Sequence, residues 1–281
     1  MNTTNKSNDH IKKKINMTMI IWLIMTFVSI FNIIFIILYY FKLKSNKLNN
    51  IYILTLIYVL VCSIRAIWLK NVTERICLFD FPLSSPLLDR FISTFSELSF
   101  ILVNIIVIKY IVENVYFLKI KYILIAKLVV IIIAEIFSWI GVLIQNYFYT
   151  FIEESLWTLF GILNLIVYIL FLIKYYSLKK NNNYLLKLFI PVIIFNILFL
   201  YYMFKYDLPN WLNKWNYYNN KEITFFSNNF YEKIIDMLYC DKKDNNFEIW
   251  KDDLLFYFLY FIFAVWACIY LLIFSNNYLF K

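Results

Sequence analysis

Hydrophobic residues fall into seven long runs, at about 17–41, 50–69, 91–116, 122–146, 151–176, 184–204 and 254–275, separated mostly by short polar segments. Each run holds roughly the 20 apolar residues that a helix needs to cross about 30 Å of hydrocarbon. None alternates with period two, and each is far longer than the ~10 residues of a membrane barrel strand, so helices are predicted. Pro191, near the start of the sixth run, is tolerated in a membrane helix. No internal repeat divides the chain, which argues against an inverted-repeat transporter. The predicted fold is all-α: a single seven-transmembrane-helix domain over residues 17–281, behind a polar N-terminal tail at 1–16.

The interval 205–253 is too long for a plain connector. Within it, Ile223, Phe226, Phe230, Ile234 and Leu238 recur at helical spacing, while Glu232, Lys233 and Asp236 take other faces. This pattern predicts an amphipathic helix on the membrane surface, as an interfacial anchor or as a lid over a cavity. Trp211, Trp215 and Trp250 flank it in the manner of an aromatic belt.

Composition agrees with a membrane chain. Of 281 residues, 63% are hydrophobic, 22% aromatic and only 16% charged, against about 45–50% apolar and about 25% charged in a soluble domain. That balance excludes a soluble, a disordered or a disulfide-stapled chain. Asn, Lys, Ile, Tyr and Phe are abundant, as AT-rich coding would produce, so the Asn runs need no functional reading. The net charge of +9 does not point to nucleic acid, because the lysines are scattered through the loops between spans. The partners implied are the lipid bilayer and a small ligand or ion; protein partners are not specified.

With seven spans the termini lie on opposite sides. The segments 42–49, 117–121 and 177–183 and the C-terminal end carry Lys42, Lys44, Lys47, Lys119, Lys121, Lys179, Lys180 and Lys281, and no acid. Short-loop lysines mark the cytosolic side, so the N-terminus is expected outside or in a lumen and the C-terminus in the cytosol, although Lys12–Lys14 pulls the other way. Sequons at Asn2, Asn5, Asn16 and Asn71 all fall on the N-terminal side, with Asn16 too near the membrane to be a good acceptor. The first span then acts as an uncleaved signal-anchor, because no small-residue cleavage site follows it. Cys62 and Cys268 lie inside spans. Cys77 and Cys240 lie in two loops on the N-terminal side, where they are either a disulfide or two free thiols.

Ionisable groups within spans normally face the bundle interior or a wet cavity. The candidates are Arg65, Arg90, Glu97, Glu135, Glu153 and Glu154. Arg90, Thr94, Glu97 and Asn104 recur at intervals of 4, 3 and 7, along one side of the third span. Glu154, Thr158 and Gly161 align in the fifth. Gly141 and Gly161 are the only glycines, and they suggest a close approach of spans four and five. The three arginines, Arg65, Arg75 and Arg90, sit within 26 positions among 24 lysines, a clustering that suggests planar, bidentate pairing. Glu97, Asp80 or Glu135 are the expected partners, with Glu97 expected to be ionised and bound to Arg65 or Arg90. The segment Arg75-Ile76-Cys77-Leu78-Phe79-Asp80-Phe81-Pro82-Leu83-Ser84-Ser85-Pro86 reads as an ordered, extended loop. With Arg90, Thr94 and Glu97 it resembles an uncharacterised group of seven-span membrane proteins over about 62–100, as do Asp207-Leu208-Pro209 and Ala264-Val265-Trp266. The resemblance implies no activity.

Several chemistries are excluded. The one histidine, His10, lies in the tail, so neither a membrane zinc hydrolase nor a paired-histidine haem site is possible. The seventh span has no Lys for a retinal Schiff base and no Pro for the receptor Asn-Pro-x-x-Tyr motif, and the third span lacks an acid-Arg-Tyr end. Two isolated glycines cannot form a phosphate loop, and Ser84 or Ser85 has no His as base. No cofactor, metal or catalytic residue is therefore expected. Three readings remain: a receptor-like or transport-like protein with an outward polar pocket at Arg65, Arg90, Glu97, Glu135 and Glu154, a structural subunit whose charges only set helix packing, and, as a distant third, an enzyme acting with carboxylates alone.

Overall fold

The computed structural model describes residues 4–79, 81–112, 120–177, 183–219 and 230–279. Its helices are α1 (Thr4–Tyr40), α2 (Asn49–Ile67), α3 (Pro86–Ile111), α4 (Lys121–Ile144), α5 (Tyr147–Ser177), α6 (Asn183–Tyr202), α7 (Leu208–Asn219), α8 (Phe230–Asp236), α9 (Phe247–Phe258) and α10 (Val265–Phe274). Three two-residue strands, β1 (Lys70–Asn71), β2 (Ile76–Cys77) and β3 (Lys242–Lys243), form a small sheet in the order β1-β2-β3. Among the described residues, seven segments are long and apolar enough to cross a membrane: Met17–Tyr40, Asn49–Ile67, Pro86–Ile111, Lys121–Ile144, Tyr147–Lys174, Phe189–Tyr217 and Phe247–Leu279. Large apolar side chains such as Phe27, Ile173 and Leu198 are exposed along them, as a lipid-facing surface requires.

Several boundaries differ from the sequence expectation. The tail is not simply irregular: residues 4–16 continue α1 as helix. The third helix starts at Pro86 rather than 91. Its start is a helix-cap signature, with Ser85 Oγ accepting from Leu88 N at 3.4 Å and Pro86 in the first turn, where its missing N–H costs nothing. The sixth helix does not stop near 204. It passes through a π-helical stretch, Met203–Asp207, into α7. Pro209 sits just beyond that stretch, and a wider turn accommodates the amide hydrogen it lacks. Hydropathy falls after 204, but helix geometry does not end there.

The predicted 205–253 loop is therefore helical at both ends. Ile223 and Phe226 lie outside the described residues, and α8 covers Phe230–Asp236 only. Met237 rather than Leu238 is the buried residue at its end. Trp211 and Trp215 do not flank a separate helix. They reach back onto the α4–α5 end, at 6.0 Å from Tyr147 and 4.9 Å from Phe148. Trp250 is buried, with Nε1 donating to the Asp244 carbonyl at 2.8 Å, so it is a core residue and not part of an interfacial belt.

Contacts divide the chain into two compact units. One comprises Met1–Lys42, Leu56–Ser96 and Asn229–Trp266; the other comprises Leu43–Thr55, Glu97–Asn228 and Ala267–Lys281. In the first unit α1 packs on α9. Trp22 anchors it to α2, donating to the Ile67 carbonyl at 2.9 Å and meeting Phe79 edge-on at 4.8 Å. In the second unit α4 and α5 form an antiparallel hairpin. Gln145, in the left-handed conformation (φ 53°), closes α4, and Asn146 Oδ1 accepts from Phe148 N at 2.9 Å to open α5. Ile101, Ile131 and Phe160 make a buried cluster joining α3, α4 and α5 there.

The glycines divide their work. Gly141 does serve the α4–α5 contact: a Cβ there would lie 3.1 Å from Thr150 Oγ1. Gly161 instead lets α5 approach α6, where a Cβ would lie 2.9 Å from Leu200 Cδ2 and 3.0 Å from Phe199. Asn196 Nδ2 donates to the Gly161 carbonyl at 2.9 Å through the same gap. The expected approach of spans four and five therefore holds at Gly141 and is corrected at Gly161, which faces α6.

Candidate functional site

Each unit holds a buried polar cluster, and the two differ in chemistry. In the first unit the centre is Asp89, in the opening turn of α3. Arg65 Nε approaches its carboxylate at 3.2 Å, and Lys70 Nζ reaches it at 3.4 Å. Arg65 also donates from Nη1 to the Tyr260 hydroxyl at 3.2 Å, and its guanidinium lies 5.2 Å from the centre of the Tyr260 ring and 5.7 Å from that of Phe261. Both rings belong to a π-helical stretch, Leu259–Ala264, between α9 and α10. Lys70 Nζ donates to the Leu83 carbonyl at 2.7 Å, and the Tyr257 hydroxyl donates to the Lys70 carbonyl at 2.9 Å. Burial pulls the Lys70 ammonium below the usual lysine range, with Asp89 opposing that pull.

The loop above this cluster is closed by covalent and backbone bonds. Cys77 and Cys240 are joined as a disulfide, with Cα atoms 5.9 Å apart. Around it, β2 pairs in parallel with β3, and Met237 O accepts from Leu87 N at 2.8 Å and Ser85 Oγ at 3.2 Å. Arg75, at φ 53°, gives its carbonyl to Asp241 N at 2.9 Å.

Arg65, Arg90, Glu97, Glu135, Glu153 and Glu154 are all buried or nearly so. Arg65 is held by Asp89, an acid the sequence reading passed over, and Asp80 lies outside the described residues. Glu97 is buried two turns along α3 from Arg90. Asn71 is corrected as a glycan acceptor. Its side chain is buried, and Nδ2, the atom a glycan would take, donates to Asp253 Oδ2 at 2.7 Å. Asn2 lies outside the described residues, and Asn5 falls in the helical backbone of α1.

The second unit's cluster carries a weaker sequence signal. Lys127 of α4 is fully buried. Its Nζ donates to Asn104 Oδ1 at 2.6 Å and lies 5.1 Å from the centre of the Phe160 ring. Asn104 in turn donates from Nδ2 to the Tyr168 hydroxyl at 3.2 Å. Asn104 belongs to the face traced through Arg90, Thr94 and Glu97, so half of this site was visible. Lys127 was hidden because lysines in this chain read as loop markers, yet it stands six residues inside an apolar helix.

Among the described residues no group of three or more His, Cys, Asp or Glu is arranged to hold a metal ion. No protein-family model, curated protein or solved structure matches the chain, so no activity comes to it by likeness.

Proposed function

We propose that the chain is a multi-pass membrane protein that acts by binding, receptor-like or transport-like, with its ligand-contacting polar group at Lys127 rather than at Arg65. The observation that carries this is the Lys127–Asn104–Tyr168 chain, a fully buried cation among apolar helices with no carboxylate of the described residues paired to it. A lysine at such depth costs several kcal/mol, and helix packing alone is served better by an apolar residue. The orientation that fits is N-terminus outside or lumenal and C-terminus cytosolic. Two features support it: acid-free, lysine-bearing loops on the second side, and a disulfide on the first, which needs an oxidising compartment.

A structural-subunit reading is favoured by one separate observation. The Arg65–Asp89–Lys70 cluster is largely buried and held by ion pairs to one shared carboxylate, as a packing lock would be. A thermal-shift screen of the purified chain and its Lys127→Met variant separates the two. A compound of any class that stabilises only the wild type supports binding. A variant at least as stable as wild type, with no compound telling them apart, supports the subunit reading.

A further inference from the structure

Hydrogen-bond accounting around Lys127 shows an excess of donors. The ammonium has three N–H donors, of which one is used on Asn104. The Tyr168 oxygen accepts from Asn104, so its own O–H is still to be given. The Phe160 ring face offsets part of the positive charge. Glu135, the other buried ionisable group on α4, is eight residues away, about 12 Å along the axis. A sealed ammonium in this setting must lose its proton or gain an anion.

Beside these groups lies a small apolar recess of about 10 Å³, lined by residues that include Val107, Ile108, Ile111, Tyr168, Phe189 and Val192. Tyr168 belongs to both the recess and the polar chain. Asn104, Val107, Ile108 and Ile111 follow at i, i+3, i+4 and i+7 on one face of α3, so the recess begins one turn from the polar atoms.

We propose that Lys127, Asn104 and Tyr168 form a binding site for a monoanion that accepts hydrogen bonds, either a halide or a carboxylate. This rests on the binding reading above and names its ligand class. One cation sets the charge at minus one, because a dianion would leave net negative charge sealed in the same place. The Lys127 N–H groups and the Tyr168 O–H supply the donors. The two sources differ in what accompanies the charge: an inorganic ion is bare, and an amphiphilic carboxylate carries an apolar chain.

The test uses the full chain in nanodiscs of zwitterionic lipid. Its unfolding temperature is followed as sodium bromide replaces sodium gluconate at constant ionic strength, and separately as sodium dodecanoate is added below its micellar concentration. At least one series is expected to raise the unfolding temperature saturably. Saturation with bromide assigns an inorganic ion; saturation with dodecanoate alone assigns an amphiphile. The effect is expected to vanish in Lys127→Met, to persist in Lys127→Arg, and in Tyr168→Phe to need roughly fivefold more ligand for half-saturation, the loss of about one hydrogen bond. No saturable shift in wild type, or an equal shift in Lys127→Met, overturns the proposal. If Lys127→Met does not fold, an unchanged half-saturation in Tyr168→Phe overturns it. A neutral or cationic compound that stabilises wild type but not Lys127→Met, with both anions inert, defeats the anion site and leaves the binding reading standing.

Discussion

Arg65 and Asp89 meet at 3.2 Å, a guanidinium on α2 and a carboxylate in the first turn of α3, each largely removed from solvent. Lys70 brings a second cation to the same carboxylate. Two positive charges therefore depend on one acid, at the point where the disulfide-tied loop returns to the helices. The Lys127 cluster is the opposite case, a buried cation held by an amide and an aromatic face. Chemistry separates the two clusters: one is built around a carboxylate, and in the other no carboxylate of the described residues pairs with the lysine.

Asp89→Asn should therefore destabilise the chain. It removes the carboxylate that both Arg65 and Lys70 address, and breaking a buried pair from one side costs about 3–5 kcal/mol. Thermal unfolding in micelles should show the loss, and Asp89→Asn with Lys70→Met should recover part of it. A single variant as stable as wild type would mean that the cluster is not a lock.

Lys70 also gives a pH signature. Its folded pKa lies below the usual 10.5, chiefly through burial. Between that lowered value and 10.5 the unfolded chain holds a proton that the folded chain has released, so stability should rise with pH across this window. Below the folded pKa both states are charged and this contribution is flat. Lys70→Met should remove the rise; an identical slope in the variant would assign it to another group.

Which parts were legible follows from what each signal measures. Hydropathy located the seven helices that are long and apolar enough to cross a membrane, because each carries a run of roughly 20 apolar residues. It could not place the end of the sixth helix, since α7 is amphipathic and no longer apolar. Ser85-Pro86 with Asp89 was a readable helix start, and reading it would have put Asp89 on α3 beside Arg65. Hydropathy does not reveal the Arg65 partner, because Asp89 precedes the apolar run that begins at 91. Lys127 was missed because its charge resembled the topology signal carried by 23 other lysines.

The Cys77–Cys240 bond closes a span of 163 residues. In the chain-entropy model a loop of that length contributes about 5 kcal/mol, and measured gains often fall below this. Cys77→Ser, or reduction of the native chain, should lower the unfolding temperature, and non-reducing electrophoresis should show a faster band for the oxidised wild type only. Identical mobility with and without reductant would show that the bond does not form.

Gly161→Ala tests the α5–α6 approach. Its Cβ would sit 2.9 Å from Leu200 Cδ2, which can turn away, and 3.0–3.1 Å from the Phe199 ring, which has less freedom. A loss of about 1–3 kcal/mol is expected from overpacking. Adding Phe199→Leu should restore part of it. Recovery through a residue on α4 instead would place the contact elsewhere.

Orientation and glycosylation can be read in one experiment. With the N-terminus lumenal, Asn2, Asn5 and Asn71 all face the transferase. Asn71 differs from the others because its Nδ2 is committed to Asp253 at 2.7 Å and its Oδ1 accepts from Glu74 N at 3.0 Å, so a glycan there would prevent both bonds. Glycosidase treatment should therefore change mobility only through the two N-terminal sequons, and Asn71→Gln should leave the glycosylation pattern unchanged while lowering stability by about 1–3 kcal/mol through the lost bond to Asp253. Terminal tags probed before and after permeabilisation supply the control. A C-terminal tag reactive on intact cells would reverse the orientation, and an Asn71-dependent mobility shift would show that the loop around β1 does not fold as described.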